Sequence, residues 1–100
     1  MKDTTIHVAT ILGKHEAITT EEGQQIYDLI IKAFFQSKKV ILAFDNMETL
    51  SKEFLQTAIG QLYENYSHTD IKKNLHIDNI PFSGKVALKR IVEQARKTFH

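Results

Sequence analysis

The chain has 100 residues, a formal net charge of +1 and no cysteine. We expect a single domain over residues 1–100, because two shorter pieces could not each bury a core. The lack of cysteine excludes disulfides, thiolate chemistry and cysteine-ligated zinc or iron–sulfur sites. Every apolar run is shorter than the roughly 20 residues of a membrane helix, and the start MKDTTIHVAT lacks a signal-peptide core. The sequence therefore predicts a soluble, cytoplasmic protein that does not enter the membrane.

The first third of the chain is predicted to form a strand, a turn and a helix. β-branched residues favour a strand over residues 5–12, and Gly13 then interrupts the pattern, with a brief second pairing near Ala17. Thr19 and Glu22 have capping-box spacing, which marks a helix start. Apolar residues recur every three or four positions after it, so we expect a helix from about residue 20 to residue 35.

The central stretch, residues 39–66, organises the rest of the chain. Residues 40–44 form an unbroken apolar run, typical of a strand buried on both faces of a parallel sheet. From the N-cap candidate Ser51, apolar residues recur at helical spacing up to Tyr66, and Glu53 lies in the first turn, where a negative charge suits the helix dipole. The sequence predicts a central strand, a loop and a helix packed on the sheet.

The last third predicts a strand and a helix. A polar surface connection at residues 67–74 leads to a short alternating strand at 75–78, which Pro81 ends. Ser83 is the expected cap of a final helix. The apolar stripe of that helix is Leu88, Ile91, Val92, Ala95 and Phe99. The resulting order, β(β)αβαβα, implies an α/β fold with right-handed crossovers and a small, mixed but mostly parallel sheet covered by helices.

Three consecutive segments carry a resemblance to a known family: the strand at 40–45, the loop at 46–50 and the helix at 51–62. Together they resemble the STAS-type domains of bacterial anti-sigma factor antagonists and, more specifically, the small bacterial STAS-like proteins. Gly13 before a capped helix and the next strand at 75–77 agree with this pattern. The resemblance spans roughly residues 5–98 and implies a STAS-like fold.

In the antagonists, the loop before this helix ends in an Asp-Ser-Ser type sequence in which a partner kinase, which is also the anti-sigma factor, phosphorylates one serine. Residues 51–53, Ser-Lys-Glu, occupy that place here, and Ser51 carries the hydroxyl. Three interpretations stay open. Ser51 is a shifted phosphorylation site in a partner-switching relay, Glu53 makes the position permanently anionic, or Ser51 is simply an N-cap with Glu53 beside the helix dipole.

The resemblance implies a non-catalytic protein-interaction module in bacterial regulation. Its partner would be a regulatory protein, such as a histidine-kinase-like ATPase or an anti-sigma factor. The expected partner-binding residues are Asp45, Asn46, Met47, Glu48, Thr49, Leu50, Ser51, Lys52 and Glu53. Met47 and Leu50 qualify as apolar anchors only if they are exposed, and they belong to the core if they are buried.

Catalytic motifs are absent from the sequence. Asp45 follows a strand as a receiver-domain aspartate does, but no acidic pair follows Ile11, so we expect Asp45 to bond local N–H groups instead. There is no Gly-x-Ser-x-Gly elbow and no Walker loop. The histidines occur singly, without metal-ligand spacing, and His7 and His76 are predicted on solvent sides of strands that could be neighbours. The sequence predicts no enzyme, no cofactor and no metal.

The last helix offers an alternative function. From Gly84 onward, Glu93 is the only acidic residue, and it opposes five cations: Lys85, Lys89, Arg90, Arg96 and Lys97. Such a face could meet nucleic-acid phosphates, but a solvated helix face is the favoured interpretation. The same face could equally meet an acidic protein partner.

Overall fold

The structure is a computed structural model that describes residues 3–98. Its strands are β1 (Asp3–His7), β2 (Glu16–Ala17), β3 (Lys39–Ala43), β4 (Thr49–Leu50) and β5 (Leu75–Asp78). Its helices are α1 (Val8–Leu12), α2 (Thr20–Phe35), α3 (Lys52–Ala58), α4 (His68–Asn74) and α5 (Phe82–Thr98). A 3-10 turn, Gly60–Glu64, follows α3. Phe99, expected in the last apolar stripe, and His100 lie outside the described residues.

The strands pair in parallel. β3 lies between β1 and β5, in register from Thr5 through Ile41 to His76, and β2 and β4 form a separate two-residue ladder. Helix α3 packs against both α2 and α5, so the helices form one layer in the order α2, α3, α5. The predicted α/β fold, with helices between parallel strands, is confirmed.

The sheet is covered by helices on one face only. Alternate residues of a strand point to opposite faces. The inner-face residues are buried in the same core as the helices: Ile6, Val40, Leu42 and Leu75. On the outer face, Thr5 and His76 are exposed and Ile41 between them is half-buried. The prediction that the central strand is buried on both faces therefore holds only in part. On the outer face Ala43 is buried, but Ile41 is half-buried because only its neighbours screen it.

The first strand is shorter than predicted. It ends at His7, and Val8–Leu12 form the helix α1 instead of continuing the strand. Gly13 closes this helix in the left-handed conformation, with φ at 70°, and its N–H donates to the Ala9 carbonyl at 2.8 Å. Because glycine adopts this conformation at little cost, a C-cap here overrides the strand preference of the β-branched residues.

Two helical segments differ from the expected boundaries. The helix from Ser51 ends at Ala58 and is followed by the 3-10 turn. Gly60 in this turn lies so close to Ile91 that a Cβ on Gly60 would be 3.0 Å from the Ile91 Cγ2 atom. The connection at 67–74 is helix α4, capped by Ser67, which accepts a hydrogen bond from the Asp70 N–H at 3.1 Å. The signal that sequence reasoning missed is this cap spacing.

The last helix begins two residues earlier than predicted, since a cap at Ser83 would place its first residue at Gly84. It starts at Phe82, so Ser83 lies inside its first turn and does not cap it. The Pro81 carbonyl instead accepts the first helical hydrogen bond, from Lys85 at 2.9 Å. Proline suits the start of a helix because it has no N–H to leave unpaired there. None of the helices within residues 3–98 is long and apolar enough to cross a membrane.

Helix α2 crosses α3 at Gly23. A Cβ at this position would lie 2.7 Å from the Thr57 Cβ and 2.8 Å from the Phe54 carbonyl oxygen. The second of these atoms belongs to the backbone, which cannot rotate away. The residue at position 23 therefore sets how closely the two main helices approach each other.

We predict that Gly23→Ala lowers the free energy of unfolding by about 1–3 kcal/mol, because the crossing must open to admit a methyl group. Alanine's higher helix propensity, about 1 kcal/mol, opposes this loss without cancelling it. Urea denaturation measures the change, with Gln25→Ala on the exposed face of α2 as control. A Gly23→Ala variant as stable as the wild type would contradict the tight crossing.

Candidate functional site

Three segments meet at the carboxyl end of the sheet, the place where open parallel sheets usually bind ligands. His15, between α1 and β2, donates through Nδ1 to the Asn46 carbonyl at 2.9 Å, and its own carbonyl accepts from the Glu48 N–H at 2.8 Å. Asp45 accepts from the side-chain amide of Asn79, which follows β5. Long-range contacts thus join the segments that follow α1, β3 and β5.

The segment from β3 to α3, residues 45–53, contains every residue that was predicted to bind a partner. Its exposed members are Asp45, Asn46, Glu48, Thr49, Lys52 and Glu53. Met47 and Leu50 are buried in the hydrophobic core. They fix the segment to the body of the protein, and their burial excludes them as apolar anchors for a partner.

The sequence predicted that Asp45 bonds local N–H groups, and this prediction is wrong. Its partner, Asn79, is 34 residues away in the chain. Asn79 has a positive φ of 55°, a conformation that asparagine tolerates better than most residues. The pair joins the turn after β3 to the turn after β5. This structural role accounts for an aspartate at position 45.

Ser51 has two hydrogen-bonding roles. Its Oγ accepts from the Phe54 N–H at 2.9 Å, which confirms the predicted N-cap of α3, and it donates to the Ile18 carbonyl. The Ser51 N–H also donates to the Ala17 carbonyl at 2.9 Å. A phosphate on Ser51 would remove the proton that Oγ donates to Ile18, so modification would loosen the contact between β2 and the start of α3.

An exposed apolar pair lies next to this segment, on the first turns of α5. Phe82 is 81% exposed and Val86 is 41% exposed. Val86 and Ser83 line the same groove as Lys52 and Glu53, and this groove of about 980 Å³ runs between α3, the 3-10 turn and α5. The carboxyl end of the sheet therefore presents apolar and charged side chains together.

Sequence reasoning missed this pair. The available signal was that Phe82 and Val86 lie off the apolar stripe of α5, one turn apart, on a helix whose buried face is already supplied by Ile91 and Ala95. A phenylalanine directly after Pro81 is typical of a loop that ends a strand. Its position on the surface of α5 could be recognised only once the first residue of that helix was known.

The basic residues of α5 do not form one patch. All five are exposed. A helix with 3.6 residues per turn places Lys85, Lys89 and Arg96 along one side of the exposed face, and Arg90 and Lys97 along the other. Phe82, Val86 and Glu93 run between these two rows. A phosphate backbone would meet an apolar pair and a carboxylate at the middle of this face.

The histidines are not brought together. His7 and His76 are both exposed, as predicted, but β3 lies between their strands, so they are not neighbours. The His76 Nε2 atom is 3.9 Å from the Asp78 Oδ1 atom on the same strand. In the part of the chain that the structure describes, no group of three or more His, Asp or Glu residues is arranged to hold a metal ion.

Glu22 and Tyr63 have displaced pKa values, and both shifts have structural causes. The Glu22 carboxylate accepts a hydrogen bond from the Lys14 ammonium and from the Ile18 and Thr19 N–H groups, the last two at 2.9 and 3.0 Å. These bonds, with that from Lys14 the largest, lower the pKa of Glu22 to about 2. The two backbone contacts include the predicted capping box of α2, which is confirmed. Burial raises the pKa of Tyr63, whose hydroxyl is 2.9 Å from the His68 Nδ1 atom.

We predict that Ser51→Ala lowers the free energy of unfolding by about 1–2 kcal/mol, because α3 loses its cap and the Ile18 carbonyl loses its donor. Chemical denaturation measures the loss. Ser83→Ala, in the exposed first turn of α5, is the matched control and should change stability by a few tenths of a kcal/mol, at about the level of an ordinary surface substitution. Equal effects of the two changes would refute the double role of Ser51.

We predict that Glu22→Gln lowers stability by about 1 kcal/mol at pH 7, since the carboxylate caps α2 and pairs with Lys14. The folded state lowers this pKa from 4.5 to about 2, so the stabilisation is complete above pH 4.5 and is lost as the pH falls towards 2. Thermal unfolding of wild type and variant from pH 7 to pH 2 should therefore show curves that converge in acid. Glu21→Gln is the control, and a difference between wild type and Glu22→Gln that is as large at pH 2 as at pH 7 would contradict the assignment.

Comparison with protein families places the segment described above in a known context. A family model matches residues 22–81, and its description is STAS-like domain of unknown function (DUF4325). The matched range begins in the first turn of α2 and ends just before α5, so it includes β3, the 45–53 segment and β5. Comparison with curated proteins and with solved structures gave no match. Since the family model covers more than half of the chain, this protein belongs to the STAS-like domain family of unknown function.

Proposed function

We propose that this STAS-like domain is a non-catalytic protein-interaction module, and that it docks a partner at the carboxyl end of its sheet. The observation that carries the proposal is that the exposed Val86 shares a groove with Lys52 and Glu53 of the 45–53 segment, and that the exposed Phe82 lies one turn before Val86 on α5. Protein interfaces typically combine a few apolar or aromatic anchors with a polar rim. The anchor of this surface is Phe82, in place of the buried Met47 and Leu50.

The rigidity of the surface supports binding without rearrangement. The 45–53 segment is held by the contacts of His15 and Ser51 and by its two buried side chains, and Phe82 projects from a long helix. A surface that is already ordered pays less conformational entropy when a partner binds. The proposed docking surface is therefore available in the free protein.

The charge of the surface indicates the kind of partner. Asp45, Glu48 and Glu53 are exposed, against the single cation Lys52 in the same segment. Complementary charge steers association and selects partners. The partner is thus expected to present basic residues to the 45–53 segment. Its apolar pocket for Phe82 should be bordered by acidic residues, because Lys85 and Lys89 lie along one side of Phe82 on α5 and Arg90 along the other.

Family membership supports a regulatory partner. STAS domains of anti-sigma factor antagonists, which the 45–53 segment resembles, bind histidine-kinase-like ATPases that act as anti-sigma factors, and we propose a partner of this class. A role in phosphoryl relay through Ser51 has weaker support, because the Oγ atom already makes two hydrogen bonds. A nucleic-acid role for α5 has weaker support because its cations lie in two separated rows.

The proposed function predicts that Phe82→Ser raises the dissociation constant for the partner at least about tenfold, because loss of an aromatic anchor costs about 2 kcal/mol or more. A tagged protein first isolates the partner from the native cytoplasm, and calorimetry with the purified partner then compares variants. Phe35→Ser is the matched control: Phe35 is 80% exposed, against 81% for Phe82, but lies at the opposite end of the sheet.

A second variant separates charge from apolar contact. Glu48→Lys with Glu53→Lys should slow association and weaken its salt dependence, while leaving the fold unchanged at two exposed positions. If Phe82→Ser and Phe35→Ser affect binding equally, or if nucleic acid is the only material retained by the wild type, the carboxyl-end surface is not the docking site.

A further inference from the structure

The second surface of interest is the free edge of β1. This strand pairs with β3 on one side, and no described strand lies on its other side. Its residues 3–7, DTTIH, are half-buried or exposed apart from Ile6. Unpaired edges usually carry lysine, proline or a bulge, which prevents another strand from pairing with them. Residues 3–7 contain no such protection, and the one formally charged residue among them is Asp3 at the end.

We propose that the β1 edge pairs with β1 of a second copy of this chain, in antiparallel orientation, with Thr5 on the two-fold axis. In this register Asp3 lies opposite His7 of the second copy, Thr4 lies opposite Ile6, and Thr5 lies opposite Thr5. All five residues are paired. An imidazole N–H donates to a carboxylate, so both ends of the pairing are complementary.

The faces of the strand agree with this register. Asp3, Thr5 and His7 belong to the outer face of the sheet, and Thr4 and Ile6 to the inner face. Directly opposed residues in an antiparallel pair share a face, and β-branched pairs such as Thr4 with Ile6 are favourable. Because a two-fold axis through Thr5 keeps inner face with inner face, the two helix layers lie on the same side of a continuous six-stranded sheet.

Partly exposed apolar side chains lie next to the β1 edge, where a second copy would cover them. A shallow groove of about 240 Å³ lies between β1, α1 and α2, and its apolar lining includes Ile11 of α1, which is 40% exposed, and the half-buried Leu29 of α2. Lys32 and Lys38 line the same groove and would repel their equivalents. The paired strands bury less area than the interfaces of permanent dimers, and the lysines of the two copies repel each other. The dimer is therefore weak, and its population depends on concentration.

The opposite edge of the sheet is less suited to the same pairing. β5 also carries a histidine and an aspartate, His76 and Asp78, but these already lie 3.9 Å apart within one strand. Helix α4 ends at Asn74, directly before β5, and Asn79 directly after it has a left-handed backbone. The straight part of this edge is four residues long, and it serves as an internal control for the test.

Cysteine cross-linking tests the register, because the chain has no cysteine of its own. Across the two-fold axis, the Cα atoms at position 5 would be about 4.5–5.5 Å apart, within disulfide range. Those at position 3 would be offset by four residues, about 14 Å. Mild oxidation of a concentrated solution should therefore produce a disulfide-linked dimer of Thr5→Cys, and leave Asp3→Cys and His76→Cys monomeric. A Thr5→Cys variant that forms no more dimer than His76→Cys would overturn the proposal.

Analytical ultracentrifugation tests the charge pairing in the cysteine-free protein. His7→Glu places two carboxylates opposite each other and should raise the dimer dissociation constant at least tenfold. His7→Lys keeps an attractive pair and should stay within threefold of the wild type. The control His76→Glu makes the same change on β5 and should have no effect, with circular dichroism confirming that all variants fold. A wild type that is monomeric at every concentration up to 1 mM, or equal effects of His7→Glu and His7→Lys, would overturn the proposal.

Discussion

The structure depends on the packing of α2, α3 and α5 against one face of a three-stranded parallel sheet. This single layer buries the inner face of β3, with Val40 and Leu42 in the core, and it is held together by close helix crossings such as the one at Gly23. A sheet covered on one side leaves the outer face, the two edges and the carboxyl ends of the strands without helices. Polar residues on the outer face can remain in contact with water. At the carboxyl ends of the strands, hydrogen bonds of His15, Asp45 and Ser51 pair the polar groups of the loops.

Much of this architecture could be predicted from the sequence because its signals are local. The capping box at Thr19 and Glu22 fixes the start of α2, and the N-cap at Ser51 fixes the start of α3. What could not be predicted depends on tertiary contacts. Val8 favours a strand by its residue type, but it begins a helix that Gly13 closes. The apolar run at 40–44 does not indicate whether one or two layers of helices cover the strand.

The candidate site divides in the same way. The segment 45–53 was predicted to bind a partner, and its position after a central parallel strand places it at the carboxyl end of the sheet. The β2–β4 ladder determines which residues of the segment face solvent, and it places Leu50 in the core. No local sequence pattern predicts this ladder. The exposed Phe82 depends on where α5 begins, a boundary that Pro81 sets one residue before the serine that looked like a cap.

The two proposed surfaces are far apart, and this separation has a consequence for binding. The β1 edge and the α5 side lie at opposite edges of the sheet, because the helix layer runs in the order α2, α3, α5. A dimer through β1 would therefore leave Phe82 and the 45–53 segment uncovered in both copies. Two such surfaces on one side of a continuous sheet would bind a dimeric partner at an effective concentration far above that of the free protein. A weak dimer and a weak docking contact would then stabilise each other without any new contact between them.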